Sequence, residues 1–144
     1  MDKFSVGTFD ILAFDCEHDV PNLGYLIRSR LTGEQLLYYT DTAYLKYTFP
    51  GIDYLMGECN YSLDAINDSI TNERLPASLK PRILRSHMSV DTFIDLLKAN
   101  GYTANDGVPR LKQIYLLHLS SNNSNAEDFR RRVQELCACE VYIA

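Results

Sequence analysis

Ile114-Tyr115-Leu116-Leu117-His118 is the stretch that decides how this chain is read. Four apolar residues in a row leave no polar side to turn to water, so a strand of this kind needs cover on both faces of its sheet. The run then stops at an imidazole. Ile52-Asp53-Tyr54-Leu55-Met56 has the same two-sided apolar character, and Leu36-Leu37-Tyr38-Tyr39-Thr40 runs directly into Asp41. Working outward, Phe4 to Val6 and Phe9 to Phe14 are rich in strand formers and flank the turn Gly7-Thr8. Leu23 to Leu31 and Gln35 to Thr40 pair around Thr32-Gly33-Glu34, a hairpin loop with glycine where positive φ is easiest. Four strands therefore precede residue 41, and Ile52 to Glu58 adds a fifth.

After Glu58 the apolar period changes from two to about 3.6. Leu63, Ile66 and Ile70 sit at helical spacing, and a second helix around Leu79 to Leu84 follows Pro76. Ser89 caps a third that carries Val90, Phe93, Ile94 and Leu97 and is closed by Asn100-Gly101. Residues 102 to 109 form a loop, and Lys112 to Leu117 returns to strand. Ser124 with Glu127 three residues on forms a capping box for a last helix. In that helix Phe129, Val133 and Leu136 face inward and Arg130-Arg131-Arg132 face water. Glu140 to Ile143 closes the chain as a short strand. Strands gathered early and helices late predict an α+β fold, one mixed sheet with helices on one face, over a single domain of residues 1–144. One helical layer leaves the other face bare.

Hydrophobic residues make up 46% and charged residues 23% of the 144, the usage of a folded globular domain. No apolar run approaches the roughly 20 residues that span a bilayer, and no basic start leads into an apolar stretch, so a cytoplasmic protein with no membrane partner is expected. The net charge of −5 excludes broad attraction to nucleic acid, which enters only as a substrate. It also argues against a single-strand binder built on the ten tyrosines, because such grooves are basic. Four cysteines show no Cys-x-x-Cys spacing and are read as packed thiols. Cys137 and Cys139, two apart on a strand, would share a face.

Each of the three histidines lies at the end of an apolar run: His18 after Phe14-Asp15-Cys16-Glu17, His87 after Ile83-Leu84-Arg85-Ser86, and His118 after Tyr115-Leu116-Leu117. Side chains at strand ends converge on one rim of a sheet. Asp41 belongs to the same pattern. A carboxylate with two imidazoles suits zinc, manganese or iron, and leaves His87 for proton transfer, since an imidazole titrates near neutral pH.

His18-Asp19-Val20-Pro21-Asn22-Leu23-Gly24-Tyr25, Thr40-Asp41-Thr42, Glu58-Cys59-Asn60-Tyr61, Ser86-His87-Met88-Ser89 and Leu117-His118-Leu119-Ser120 follow one another in an order that resembles metallo-β-lactamase-fold hydrolases. The resemblance is strongest to the WalJ/YycJ-like branch and its relatives in phages and mobile elements, and reaches more distantly to endoribonuclease Z. It implies half, the C-terminal half, of an αββα sandwich. It implies His18, Asp41 and His118 as metal ligands, Asp41 bridging, and His87 as the group that protonates the leaving group. Glu58, Asn60 and Tyr61 match a segment near the site without individual roles, and Ser120-Ser121-Asn122-Asn123 matches a polar loop beside it.

The family's His-x-His-x-Asp-His motif is absent from these residues. With His18 and Asp41 for one ion and Asp41 and His118 for the other, each position has two protein ligands where catalytic zinc uses three. The expectation is thus a truncated phosphodiesterase- or nuclease-type fold that needs a partner half or self-association to cover its sheet, with zinc or manganese held once another chain completes the site and none required in the chain alone. The alternative is a non-catalytic phage or mobile-element binding protein, for example an antagonist of host defence, that uses the bare sheet to dimerise or to grip a target.

Overall fold

The computed structural model describes residues 1–144. Seven strands form one sheet in sequence order: β1 (Asp2–Val6), β2 (Phe9–Asp15), β3 (Leu23–Ser29), β4 (Gln35–Tyr39), β5 (Tyr54–Glu58), β6 (Gln113–Leu117) and β7 (Glu140–Ile143). The first four are joined by turns and run antiparallel, whereas β4 to β7 are parallel. The change follows from the connections: hairpin loops reverse the chain, while parallel neighbours need long crossovers. α1 (Leu63–Thr71), a single 3₁₀ turn (Ala77–Leu79), α2 (Lys80–Ser86) and α3 (Val90–Ala99) join β5 to β6, and α4 (Ala126–Cys137) joins β6 to β7. The fold is the expected α+β arrangement with a mixed sheet.

Register assigns the two faces. Leu12, Leu26, Leu37, Leu55, Ile114 and Val141 are successive cross-strand partners and point one way. They pack with Phe93 and Leu97 of α3 and Phe129 and Val133 of α4, in the one large apolar cluster of the molecule. The other row, Ala13, Tyr25, Tyr38, Met56, Tyr115 and Tyr142, faces away. On that side the rings of Tyr25 and Tyr38 stack, as do those of Tyr115 and Tyr142. Phe4, Phe9 and Tyr142 are each more than 40% exposed there, so the helices cover one face only, as expected from a single helical layer.

Three local expectations are corrected. The cap of α4 is Asn125, whose side chain accepts from the Asp128 amide, and not Ser124. The Ser124 hydroxyl is engaged by the Ser120 carbonyl, to which it donates. The hairpin between β3 and β4 spans Arg30 to Glu34, because Gly33 (φ 77°) donates to the Ser29 carbonyl and ends the strand there, leaving Leu31 in water. Cys137 and Cys139 do not share a strand: the first ends α4, and left-handed Ala138 (φ 54°) turns the chain before β7. All four cysteines are free and buried, and no helix is long and apolar enough to cross a membrane.

Candidate metal centre

β2 and β4 run in the same direction as β5 and β6, so the C-terminal ends of these four strands share one rim. Side chains just beyond parallel strand ends are the usual place for a site. Asp41 follows β4, Glu58 ends β5, His118 follows β6, and His18 lies three residues past β2. His87 reaches the same rim from the C-terminus of α2, where it is the cap residue. The three imidazoles form a row, with ring centroids 5.6 Å apart from His18 to His87 and 5.2 Å from His87 to His118.

Asp41 stands in the middle. Its Oδ1 is 3.4 Å from His118 Nδ1, 3.8 Å from His87 Nδ1 and 4.0 Å from His18 Nε2. Glu58 closes the group from below: its Oε1 lies 2.7 Å from His87 Nδ1 and 2.9 Å from His118 Nδ1. Its Oε2 accepts the Thr42 amide at 2.8 Å. One donor atom each from Asp41, Glu58, His87 and His118 lie within 4.8 Å of one another, a group that could hold a metal ion. Of the residues expected from sequence, Asp41, His87 and His118 belong to this group, while His18 lies at its edge, 4.0 Å from Asp41. Glu58 is the member whose role sequence reasoning missed, although its signal was the same as that of Asp41 and His118, a polar residue ending an apolar strand.

Backbone hydrogen bonds hold these ends in register. Asn60 receives the Ser120 amide on its carbonyl, donates its own amide to Met88, and donates through Nδ2 to the His118 carbonyl at 2.7 Å. Tyr61 accepts the Val90 amide and makes a parallel bridge with Ser89. Residues 58 to 61 therefore tie the His87 corner to the His118 corner. On the other side Asn22 donates to the carbonyls of Thr40 and Asp41, and the Thr42 hydroxyl accepts the Glu17 amide, fixing the His18 loop to the Asp41 loop. The polar run after His118 folds back on α1, where the Ser69 hydroxyl donates to Asn122 and the Ser62 amide donates to Asn123.

Asp41 (φ 51°) and His118 (φ 54°) both adopt left-handed backbone. Outside glycine this conformation is uncommon, and it collects where side chains are held for a purpose. Electrostatics point the same way. Glu58 is fully buried and its only basic neighbours within ion-pair distance are His87 and His118. The hydrogen bond to Glu58 raises the His87 pKa above the ordinary imidazole value, against the opposing effect of burial.

No protein-family model and no curated protein matches the sequence. Solved structures do. The metallo-beta-lactamase fold protein YhfI from Bacillus subtilis superposes with a TM-score of 0.67 at 19% identity, over 99% of this chain and 49% of its own. Unliganded yeast PDE1 gives 0.66 at 16% identity over 99% and 46%, and human tRNase Z, short form, gives 0.54 at 16% over 98% and 42%. The fold is that of half a metallo-β-lactamase domain, and the chain spans about half the length of the structures it matches.

Proposed function

We propose that this chain is one half of a metal-dependent phosphodiesterase- or nuclease-type hydrolase, completed when a second polypeptide covers its bare sheet face. The observation that carries this reading is the convergence of all three histidines, Asp41 and buried Glu58 on one rim. Two carboxylates and three imidazoles fit zinc or manganese, with His18, Asp41 and His118 donating and further ligands arriving from the partner. Such an ion supplies Lewis-acid stabilisation of a phosphoryl group. The chain's own contribution is then positional and protonic: Asn60 and Asn22 hold the rim loops in place, and His87, oriented by its hydrogen bond to Glu58, delivers a proton to the leaving oxygen.

Need for a cover supports the same reading. Six inter-strand spacings of about 4.8 Å and four side-chain rows give the open face an area on the order of 500 Å2, at the upper end of what soluble monomers leave apolar, where such patches are often functional. Its central rows, Ile11, Ile27, Leu36 and Tyr54, and Tyr25, Tyr38, Met56 and Tyr115, contain no charge. The cleft lined by His18, Asn22, Tyr25 and Tyr38, about 810 Å3, runs from this face to the rim, so one partner can reach both.

The test mixes the chain with a polypeptide carrying a His-x-His-x-Asp-His segment in a half-domain of this fold, adds manganese or zinc, and follows hydrolysis of bis-p-nitrophenyl phosphate. Turnover is expected from the complex alone and is lost in His118→Ala. A confirmed one-to-one complex with both ions and no turnover overturns the reading. The uncharged tyrosine-rich face favours one rival, a non-catalytic binder such as a phage or mobile-element antagonist of host defence. In that case the chain forms a stable complex or oligomer indifferent to Asp41→Ala.

A further inference from the structure

We propose that residues 76–86, the 3₁₀ turn together with α2, form a lid over the His18 side of the rim, latched by Arg82 to Asp19 and released by salt. This rests on reading the rim as the functional site, and it adds a way in which access to that site is set.

Packing supplies the first reason. Of the lid's residues only Ser86 is buried, and none belongs to the large apolar cluster or packs against it. Leu79 and Leu84 are exposed. Over residues 76–86 every backbone hydrogen bond stays within the segment or reaches only His87, which donates to the Ile83 carbonyl. The hydroxyl of buried Ser86 has no partner, so seating the last residue of α2 is not rewarded by a hydrogen bond.

The flanks are different. On one side the Arg74 and Leu75 amides both donate to the Ser69 carbonyl, and left-handed Glu73 (φ 57°) turns the chain after α1. On the other, the Met88 carbonyl accepts the Asn60 amide and the His87 ring is held to Glu58 at 2.7 Å. The segment is therefore loose between two fixed ends, Leu75 and His87.

What holds it down is polar and exposed. Lys80 Nζ donates to Asn67 Oδ1 at 2.7 Å, and Arg82 Nε donates to Asp19 Oδ2 at 2.9 Å. The other oxygen of Asp19 lies 3.1 Å from His18 Nδ1, so the latch ties α2 to the loop that carries His18. Leu84 and Arg85 wall a cleft of about 520 Å3 with His18, and His18 and Asp19 both wall the 810 Å3 cleft. With the latch made, the His18 side chain is only 11% exposed. Arg82 and Asp19 are themselves 67% and 38% exposed; pairs in that setting shift an equilibrium by about fivefold at most and are screened by salt. A seven-residue helix does not hold itself once detached, so releasing the latch melts α2 and uncovers His18.

Hydrogen exchange followed by mass spectrometry on the metal-free chain alone tests this. Amides of α2 are expected to exchange at least about tenfold faster than those of α3. Arg82→Gln should speed α2 a further two- to fivefold, roughly, with α3 unchanged. Salt at about 1 M should speed α2 in the parent chain but not in Arg82→Gln. Asp19→Arg combined with Arg82→Asp should restore the parent rate at low salt. Modification of imidazoles by diethyl pyrocarbonate reads access to the site: His18 should react faster in Arg82→Gln by the same factor, while His118, already 44% exposed, should not change. An α2 as protected as α3 overturns the proposal, as does exchange indifferent to Arg82→Gln or to salt, a charge swap that restores nothing, or a faster α2 with His18 still modified at the parent rate. No turnover enters these measurements, so the lid and the proposed hydrolase can fail independently.

Discussion

Gly57→Ala should loosen the fold and the site together. Gly57 pairs with Tyr39 across the β4–β5 ladder, and a methyl group there would lie 2.5 Å from the Tyr39 hydroxyl oxygen and 2.6 Å from the ring carbon that bears it. Tyr39 is fully buried against Met88, to whose sulfur its hydroxyl donates at 3.6 Å, so the ring has no free space to enter. Restoring van der Waals contact requires it to move by about 1 Å, and overpacking of this kind costs about 1–3 kcal/mol. For a chain of this length each kcal/mol lowers the melting temperature by roughly 3 °C, giving a drop of about 3–9 °C by circular dichroism. Tyr39→Phe in the same background should recover only a minor part, because the ring carbon remains in the way. The strands that move are those that end in Asp41 and Glu58, so zinc affinity should fall as well. Melting within about 1 °C of the parent protein would refute the reasoning, since a real clash cannot be that cheap.

Three other outcomes are expected. Asn125→Ala should destabilise α4 by about 1 kcal/mol in a denaturant titration while Ser124→Ala costs less, the reverse of the order a capping box at Ser124 requires. Burial pushes the Cys16 and Cys139 thiols up to about 11 and Cys137 to about 12, from 9.0. Groups whose folded pKa is raised stabilise fully below the unfolded value, so stability should hold to about pH 9 and then fall as pH climbs toward 11. Melting temperatures flat between pH 8 and 11 would contradict this. Finally, Met56→Glu at the centre of the uncovered face should reduce hydrophobic-dye binding and shift any self-associated chain toward a 16.5 kDa monomer in light scattering. A parent protein that is already monomeric and binds no dye would remove the case for a cover.

How much of this was legible depends on what each signal measures. The strands ending in Asp41 and His118 announced both the sheet and the rim, because two-sided apolar runs must be interior and the first polar residue after them must be at an end. Ser89 and Asn100-Gly101 fixed α3 to the residue, since side-chain capping and positive φ are local chemistry. Glu58 escaped because Met56-Gly57-Glu58-Cys59 reads as the tail of one strand. The amides of Thr42, 16 residues before it, and of Met88, with two distant histidines, reveal that the carboxylate is enclosed. The α4 cap failed for a different reason. Ser124 and Asn125 are both good caps, each with an acid three residues on, and a tertiary bond from Ser124 to Ser120 chose between them.

The left-handed turns at residues 41 and 118 bear on how such a chain changes over generations. An L-residue in that conformation forgoes about 1–2 kcal/mol that glycine would not. A descendant released from any use for an imidazole at 118 would therefore gain stability by drifting to glycine or asparagine there, and selection for heat resistance alone would erase the rim before it touched the core.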